Sequence, residues 1–482
     1  MRADWRGEKA VITSFNAYPA MKDSGVTWLG EVPTHWELRR TKTVLSQRVE
    51  KGFPDEPLLA ATQTKGVVRK DQYENRTVLA LKDLHLLKLV RQGDFVISLR
   101  SFQGGIEYAR EQGIISPAYT VLFPVRADSH RFLAWLFKSK PYVENLSLYV
   151  TGIRQGQTID YEKLSRSELP FPPLSEQAAI VRFLDHADRR IRRYVRAKKK
   201  LIKLLEEQKQ AIIHRAVTRG LDPNVRLKPS GVDWLGDVPE HWEVAALRHR
   251  YDQILGKMLD SKRITGSHSL PYLRNTDVQW DRINVENLPT MDIPESEYGR
   301  YTLQAGDLVV CEGGEVGRCA TWMGEMEICG FQKALHRLRP RNHVTDVPRY
   351  MYYVLRAAAK GDAFNDGHVS TIAHLTGDKL RAQRFPFPPS DEQKELVQVL
   401  DSEQEQLSRA ADLANREISF LLEYRSRLIA DVVTGKLDVR EAAAKLPDVE
   451  EDPETSDAAD EPSDDKEAAL NDIDIESDEA DA

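Results

Sequence analysis

The chain carries one short sequence framework twice. Residues 22–37 read KDSGVTWLGEVPTHWE and residues 228–243 read KPSGVDWLGDVPEHWE, so twelve of sixteen positions are identical at an offset of 206. Between the shared boxes, the two halves have little in common beyond a GD-x-V at Gly93 and Gly306. A duplicated frame around two divergent inserts is typical of a protein that reads two different things at a fixed separation.

Two further boxes repeat in the same order. A proline box reads LPFPPLSEQ from Leu169 and FPFPPSDEQ from Phe385, at an offset of 216. A closing box reads VTRGLD from Val217 and VTGKLD from Val433. The prolines end any preceding element, and a long helical pattern follows each of them.

The apolar residues of these two patterns recur with alternating spacings of four and three, which predicts two coiled-coil helices of about 43 residues and roughly 60 Å. The predicted seam of the first helix contains Ile180, Leu184, Ala187, Ile191, Tyr194, Lys198, Leu201, Leu205 and Ile212. The predicted seam of the second contains Leu396, Leu400, Leu407, Ala410, Ala414, Leu421 and Leu428. We expect the helices to pair antiparallel, with one insert at each end of the rod. The alternative is two separate helices, each packed on its own domain.

Both inserts mix short apolar runs with glycine and proline punctuation, and each contains one helical stretch. The predicted fold class is therefore α/β in the mixed α+β sense, with two similar domains separated by two long helices in a pseudo-two-fold repeat. The predicted segments are an N-terminal extension (1–20), a first insert (21–174), a central helix (175–220), a second insert (221–389), a C-terminal helix (390–438) and an acidic disordered tail (439–482).

The overall charge conceals two regions of opposite sign. Residues 447–482 hold seventeen Asp or Glu and one Lys, a net charge of −16 within a chain whose total is −7. The other 446 residues therefore carry about +9, the difference between those values. A basic body permits nucleic-acid binding, whereas the sequence leaves the role of the tail open.

Several protein classes are disfavoured by what the sequence lacks. No apolar run reaches membrane-spanning length and the first residues do not resemble a signal peptide, so we expect a cytoplasmic protein. Cys311, Cys319 and Cys329 are spaced as neither a zinc site nor a disulfide framework. Phosphate-binding, zinc-protease, hydrolase and adenine-methylation motifs are absent, and the glycines at 313–317 lack the P-loop lysine. This absence favours a binding subunit over an enzyme.

The ordered boxes, over residues 21–438, resemble the specificity (S) subunit of type I restriction–modification enzymes. The resemblance rests on W-L-G-x-V-P-x-x-W-E, GD-x-V and F-P-P-x-x-E-Q in duplicate. It is extended by Gly104-Gly105-Ile106 and by SPAYT at residues 116–120 in the first half, and by PYLRNTDV at residues 271–278 in the second. The second half has FQKA at residues 331–334 in place of SPAYT.

The resemblance implies two target-recognition domains, each reading half of a bipartite DNA sequence. The long helices would fix the spacer and dock two methyltransferase (M) subunits, and restriction (R) subunits would join the larger complex. The chain itself would be non-catalytic and hold no cofactor, because S-adenosylmethionine, ATP and Mg would belong to the partners. The alternative is a coiled-coil scaffold with two protein-binding heads, and a self-contained modification enzyme is disfavoured by the missing methylation motif.

Sequence reading by DNA-binding proteins uses Arg, Lys, Asn and Gln at base edges and hydroxyl or basic groups at phosphates. Polar, glycine-containing loops supply such residues in both inserts, although ordinary surface loops have the same composition. The candidates in the first insert are Arg100, Ser101, Gln103, Arg154, Gln155 and Gln157. Those in the second are Arg274, Asn275, Arg318, Lys333, His368 and Ser370.

Residues repeated in both halves should build the frame, since the inserts are expected to read different bases. Trp28, Trp36, Trp234 and Trp242 are therefore assigned to core packing rather than to base stacking, and the neighbouring histidines are poor catalytic candidates. A basic run without an intervening acid occupies residues 189–203 of the first helix. Three interpretations remain open: contact with spacer phosphates, pairing with Glu403, Glu405, Glu417 and Glu423 across the rod, or a solvated face.

Overall fold

A computed structural model describes residues 16–63, 65–72, 83–126, 129–152, 157–259, 266–361, 363–364 and 374–447. The apolar run at 77–81, interpreted above as part of the first insert, lies outside these residues. None of the described helices is both long enough and apolar enough to cross a membrane.

The first half of the chain forms a mixed domain of short strands and helices. Its elements are β1 (Met21–Asp23), β2 (Glu31–Pro33), β3 (Glu37–Arg40), α1 (Thr41–Val44), β4 (Leu45–Arg48), β5 (Leu59–Thr62), β6 (Gly66–Arg69), β7 (Lys88–Val90), β8 (Phe95–Ile97), α2 (Ser101–Gly104), β9 (Glu107–Tyr108), β10 (Gly113–Ile115), β11 (Thr120–Pro124), α3 (His130–Phe137), α4 (Lys140–Leu146), β12 (Val150–Thr151), β13 (Thr158–Ile159), α5 (Tyr161–Leu164) and β14 (Glu168–Phe171). A single long helix, α6 (Leu174–Arg219), follows.

The second half begins and ends with the same elements. Its elements are β15 (Leu227–Pro229), β16 (Asp237–Pro239), β17 (Glu243–Ala246), α7 (Leu247–Arg250), β18 (Tyr251–Leu255), β19 (Ser269–Leu273), β20 (Val278–Gln279), β21 (Arg282–Ile283), β22 (Thr290–Asp292), α8 (Tyr298–Tyr301), β23 (Leu308–Cys311), β24 (Cys319–Thr321), β25 (Gly330–Phe331), β26 (Leu335–Pro340), α9 (Pro348–Lys360), α10 (Gly377–Ala382) and β27 (Arg384–Phe387). A second long helix, α11 (Ser390–Val433), and the short α12 (Arg440–Ala444) complete the described chain.

Each insert is built on a four-stranded antiparallel sheet of the same topology. The strand order is β4-β11-β8-β9 in the first insert and β18-β26-β23-β24 in the second. Buried strand residues of the GD-x-V regions, β8 and β23, lie inside these sheets. The repeated order confirms the predicted mixed fold class and its internal repeat.

The two ends of each insert are tied together by the frame strands. β3 pairs antiparallel with β14, so that Glu37 lies opposite Phe171, and β17 pairs in the same way with β27, so that Glu243 lies opposite Phe387. The opening box and the proline box, far apart in sequence, therefore meet at the point where each long helix begins.

A glutamate at the start of each long helix joins the two boxes. Glu176 Oε1 accepts a hydrogen bond from Trp36 Nε1 at 2.9 Å, and its Oε2 lies 2.8 Å from His35 Nε2. In the second half, Glu392 makes the same contacts to Trp242 at 3.0 Å and to the His241 imidazole at 2.8 Å. We call this arrangement the carboxylate joint. It explains why the H-W-E and E-Q sequences are duplicated together.

The chain divides into two compact units. The first comprises residues 1–196 and 417–482, and the second comprises residues 197–416. Within the second unit, Ile213, Ala216 and Val217 of α6 pack in the core that contains Trp242. In the first unit the equivalent positions of α11, at the 216-residue offset, are Ile429, Val432 and Val433, and they pack in the core that contains Trp36.

The two ends of the described chain meet in the first unit. Asn16 forms a β-bridge with Asp438, whose backbone N–H donates to the Asn16 carbonyl oxygen at 2.9 Å. Tyr18 is buried, and its hydroxyl donates to Glu176. Residues 16–20, assigned above to the extension, therefore contribute directly to the first core.

The predicted antiparallel pairing of the long helices is confirmed. In the first unit Arg425 Nε donates to Asp188 Oδ1 at 2.5 Å, and in the second unit Gln404 Nε2 donates to the backbone oxygen of Lys209 at 3.4 Å. At the 216-residue offset, Asp188 is equivalent to Gln404 and Lys209 is equivalent to Arg425. The two contacts are therefore repeat-related versions of the same inter-helix pair.

Part of the predicted seam is wrong. Tyr194 and Leu201 are 44 % and 41 % exposed, so they do not lie in the helix interface. The less exposed positions of α6 follow a neighbouring stripe instead, which contains Ile191, Val195, Lys198, Ile202, Leu205, Lys209 and Ile212. The predicted stripe and the observed stripe both satisfy the four-three spacing and differ by one position in the middle of the helix.

The predicted start of the tail at residue 439 is also wrong. Val439 is fully buried, Ala443 is 2 % exposed, and both belong to the first core. Helix α12 contains the second of these residues, so the ordered chain continues to Pro447. The acidic residues from 448 onward lie outside the described residues.

The carboxylate joint predicts unequal costs of mutation in the two halves. Glu176 is 4 % exposed and serves Tyr18, Trp36 and His35, whereas Glu392 is 26 % exposed and serves two partners. Because a buried donor left unpaired costs about 1 to 3 kcal/mol, Glu176→Ala should destabilise the first unit by about 3 kcal/mol. We expect Glu392→Ala to cost the second unit about 1 to 2 kcal/mol.

Hydrogen exchange, which reports each unit separately, combined with thermal denaturation measures these losses. Glu176→Gln is the matched control, because it retains one carbonyl oxygen as acceptor for the indole. Equal losses for the two alanine variants would contradict the role given to burial and to Tyr18.

Candidate nucleic-acid interface

The first predicted cluster follows the buried strand β8. Ser101 is buried, and its Oγ accepts a hydrogen bond from the Ser98 backbone N–H at 2.9 Å, so this hydroxyl stabilises the turn into α2. Gln103 is exposed on α2, and Arg100 is partly exposed immediately before it. The loop thus presents an amide and a guanidinium while its serine faces inward.

Lys138 connects the end of this loop to the buried Glu107. Lys138 Nζ donates to Glu107 Oε1 at 2.5 Å, to the Gly104 carbonyl oxygen at 2.8 Å and to the Gln63 carbonyl oxygen at 3.0 Å. Gly105 adopts a positive φ of 87°, and a Cβ there would lie 2.3 Å from the Phe137 carbonyl oxygen. A glycine is therefore required for the loop to approach α3 this closely.

The structure places one residue of the second cluster, Gln157, near the first cluster. Helix α2 packs against β13, which carries Thr158, and Gln157 is exposed just before that strand. Arg154 and Gln155 lie outside the described residues. Gln103 and Gln157 therefore belong to one polar region, although more than fifty residues separate them in sequence.

In the second insert, Arg274 is fixed by a neighbouring carboxylate. Its Nε and Nη2 atoms donate to the two oxygens of Asp277 at 2.9 and 2.7 Å, and the arginine side chain remains 42 % exposed. This bidentate pair orients the guanidinium at the surface, because a planar fork held at two points cannot rotate freely.

Asn275 and Arg318 form a second, more internal network. Arg318 Nη2 donates to the Asn275 side-chain oxygen at 2.8 Å and to its backbone oxygen at 3.0 Å. Asn275 Nδ2 in turn donates to the Gly313 carbonyl oxygen at 3.0 Å. These contacts connect the middle of the PYLRNTDV region to the glycine-rich loop at 313–317 and fix the position of that loop.

The remaining candidates of the second insert are distributed differently. Lys333 is exposed, and its backbone N–H donates to the Lys257 carbonyl oxygen at 3.0 Å. His368 and Ser370 lie outside the described residues. Of the six candidates in this insert, the described positions place Asn275 and Arg318 together, Arg274 beside them in sequence, and Lys333 on a separate turn.

An arginine and an aromatic residue tie each insert to its own long helix. In the first unit Arg131 Nη2 and Trp135 Nε1, one turn apart on α3, donate to Asp185 at 2.6 and 3.1 Å. We call this pair of contacts on one aspartate the head clasp.

The second unit contains an equivalent head clasp. Arg349 Nη2 and the Tyr353 hydroxyl, one turn apart on α9, both donate to Asp401 Oδ1, at 2.7 and 2.5 Å. Arg356 on the same helix also donates to Glu206 of α6 at 3.1 Å. The sequence analysis missed these residues, although comparison of the halves at an offset of 218 aligns Arg131 with Arg349 and Trp135 with Tyr353.

The repeated tryptophans are placed within the frame. Trp36 and Trp242 are fully buried, and Trp28 and Trp234 are half-buried at the edges of the two cores. In the part of the chain that the structure describes, no group of three His, Cys, Asp or Glu side chains could hold a metal ion. The three cysteines are buried free thiols.

Comparison with known proteins finds similarity to type I restriction–modification specificity subunits. Residues 239–413 match the model of the type I restriction modification DNA specificity domain. The putative type I restriction enzyme MjaX specificity subunit of Methanocaldococcus jannaschii is 21 % identical over 444 residues, covering 86 % of this chain and 96 % of the relative. The chain is thus similar to a type I specificity domain over residues 239–413, and to a type I specificity subunit over most of its length.

Two further comparisons agree with this finding. The type I restriction enzyme EcoKI specificity subunit of Escherichia coli K12 is 24 % identical over 319 residues, covering 62 % of this chain and 63 % of the relative. A solved chain from work on complex assembly and conformational transition of the type I R-M system superposes with a TM-score of 0.65. That likeness, at 18 % identity over 84 % of this chain and 99 % of the solved chain, shows the fold.

The buried carboxyl group behind the first loop predicts a pH dependence of stability. Burial raises the pKa of Glu107 to about 7, against the smaller opposing effect of the Lys138 charge. Between the ordinary glutamate pKa and 7, the folded protein holds a proton that the unfolded chain has released. The free energy of unfolding should therefore fall as pH rises through this window, by about 3 kcal/mol at most.

Urea denaturation at pH 5, 6, 7 and 8 measures this slope. Glu107→Gln should remove the Glu107 contribution to the slope, because the amide does not titrate, whereas Glu111→Gln, at an exposed position in the same insert, should leave it unchanged. A slope that is identical in the wild type and in Glu107→Gln would rule out a titrating Glu107.

Proposed function

We propose that this chain recognises a bipartite DNA sequence, with each insert acting as a target-recognition domain for one half-site. The observation that carries the proposal is the repeated frame. Two inserts of the same sheet topology are held by the same carboxylate joint and the same head clasp, yet their exposed polar residues differ. A protein that reads one half-site twice would not need different residues at equivalent places.

The exposed residues of the two inserts suit DNA chemistry. Gln103 and Gln157 of the first insert present amide groups of the kind that pair with adenine edges, and Arg100 adds a guanidinium suited to guanine or phosphate. In the second insert Arg274 is oriented by Asp277 and Lys333 is exposed. We propose that these residues contact DNA, together with the candidates at 154–155, 368 and 370.

The head clasps support a fixed separation of the half-sites. Each clasp connects the helix of one insert to an aspartate of a long helix, Asp185 or Asp401. Since an α-helix resists changes in length, we propose that α6 and α11 set the spacer between the two half-sites. The comparisons do not favour the alternative of a protein-binding scaffold.

We further propose that two methyltransferase subunits dock on the long helices. Tyr194, Leu201 and Leu204 are exposed on one side of α6, and Leu413 and Phe420 are 59 % and 69 % exposed on α11. Exposed apolar side chains at these spacings are typical of a helix that receives a partner. The methyltransferase and restriction subunits would supply the catalysis, S-adenosylmethionine, ATP and Mg, and the complex would act on DNA in the cytoplasm.

Exchange of one insert tests the division of labour. Replacing residues 41–167, between the paired frame strands, with the same region of a relative should change one half of the methylated motif. Methylation mapping of a host that carries the complete system measures the result. The matched control exchanges residues 247–383, which should change the other half alone. A change of both halves by one exchange would contradict independent reading.

The exposed side of α6 gives a test of partner docking. The double variant Leu201→Asp, Leu204→Asp should change the free energy of unfolding by no more than about 0.5 kcal/mol, because both side chains are exposed. The same variant should lose binding to the methyltransferase subunit in size-exclusion chromatography. Ile191→Asp is the matched control, because Ile191 is 6 % exposed and its substitution should cost about 3 kcal/mol or more of stability.

If the double leucine variant assembled normally with the methyltransferase subunit, that subunit would not dock on this face of α6. If the variant failed to fold, Leu201 would instead lie in the helix seam.

A further inference from the structure

A stripe of exposed positive charge runs along α6. Arg189, Arg193, Arg196, Lys200 and Lys203 are all exposed and follow spacings of four and three, so they lie on one side of the helix, and Lys199 is exposed beside them. We call these six residues the basic stripe. It extends over about 21 Å at 1.5 Å per residue, and within the described chain none of the six forms a salt bridge.

The basic stripe is not repeated on the second long helix, α11, so the shared framework of the two halves does not depend on it. At the 216-residue offset the equivalent positions of α11 are Glu405, Arg409, Asp412, Arg416 and Ser419, which are of mixed sign. Glu405 and Arg409 form an ion pair within α11, and Glu423 pairs with Arg427 in the same way. Cross-rod pairing with Glu405 and Glu423, one of the interpretations of the basic run, therefore does not neutralise the basic stripe.

The described chain ends beside the start of the basic stripe. Arg182 of α6 donates from Nη2 to the Leu446 carbonyl oxygen at 2.7 Å and to the Pro447 carbonyl oxygen at 3.2 Å. Arg189, the first residue of the stripe, follows seven residues later, which is about two helical turns. Arg182, Arg189, Arg193 and Arg196 belong to the same unit as Pro447.

The sequence beyond this point carries the complementary charge. Residues 448–482 contain seventeen Asp or Glu and one Lys. A segment of 35 residues can span at most about 115 Å, several times the roughly 31 Å along α6 from Arg182 to Lys203. Such a tether gives an effective concentration on the order of millimolar.

We propose that the acidic segment 448–482 binds the basic stripe of its own chain. The stripe has charge and no described partner, the segment has the opposite charge, and Arg182 fixes the segment's starting point next to the stripe. Nucleic-acid phosphates are attracted to such a stripe by the same sequence-independent electrostatics, so the segment competes with DNA of any sequence for this face of α6. This docking does not depend on the assignment of the half-sites to the two inserts.

Carbodiimide cross-linking of the full chain, followed by mass spectrometry, tests the docking directly. At low salt we expect Lys199, Lys200 and Lys203 to be joined to carboxylates of the segment, and at 1 M NaCl, where exposed charges are screened, we expect these products to disappear. Lys51, an exposed lysine of the first insert, serves as the control. Cross-links distributed equally over Lys51 and the stripe, or no cross-links to the segment, would overturn the proposal.

A double-mutant cycle tests the competition. One change is the stripe variant, Arg193→Gln, Arg196→Gln and Lys200→Gln, and the other is a full-length chain whose seventeen tail carboxylates are replaced by amides. Fluorescence anisotropy with a duplex of unrelated sequence at low salt measures binding. We expect the amide tail to tighten binding roughly tenfold with the native stripe, and less than about twofold with the stripe variant.

Equal tightening in both backgrounds would show that the tail acts through net charge alone, and the proposal would fail. It would also fail if the amide tail did not tighten binding with the native stripe, because the tail would then not compete with DNA for the stripe. Sequence-specific methylation by the assembled complex, measured separately, reports the proposed function and is independent of both outcomes.

Discussion

The architecture depends on one carboxylate in each half. Glu176 and Glu392 sit at the start of a long helix and accept hydrogen bonds from a tryptophan indole while contacting a histidine. Each therefore fixes the angle at which a helix leaves the strand pair β3–β14 or β17–β27. The residues between the frame strands are held at their two ends, at the head clasp and by core packing against the long helix, so the loops of an insert can diverge without altering that helix.

The repeated boxes made most of this frame predictable. A residue that recurs at a fixed offset, while its surroundings differ, has a role common to both halves, and packing or joining is the role that does not depend on the insert. The argument applied correctly to the fold class and to the antiparallel helices. It would also have found the head clasps, since Arg131 with Trp135 and Arg349 with Tyr353 are aligned between the halves, but the offset changes to 218 inside the inserts.

The seam shows why periodicity alone was insufficient. Helix α6 has two apolar stripes that are neighbours in the middle of the helix, one with Leu201 and one with Ile202, and both follow the four-three rule. Which stripe faces the partner helix depends on the whole pair, including the polar contacts of Asp188 and Lys209, and no single-helix pattern contains that information. The loop candidates have the same difficulty, because Arg318 is engaged with Asn275 through a tertiary contact.

The meeting of Asn16 with Asp438 has a consequence for biosynthesis. The second unit consists of one continuous stretch, residues 197–416, whereas the first needs Ile429, Val432 and Val433 from near the end of the described chain. During translation the second unit can therefore complete its core while the first still lacks an essential part of its own. The first insert is therefore synthesised first, but its core is completed last. A premature stop codon within α11 would leave this N-terminal unit incomplete.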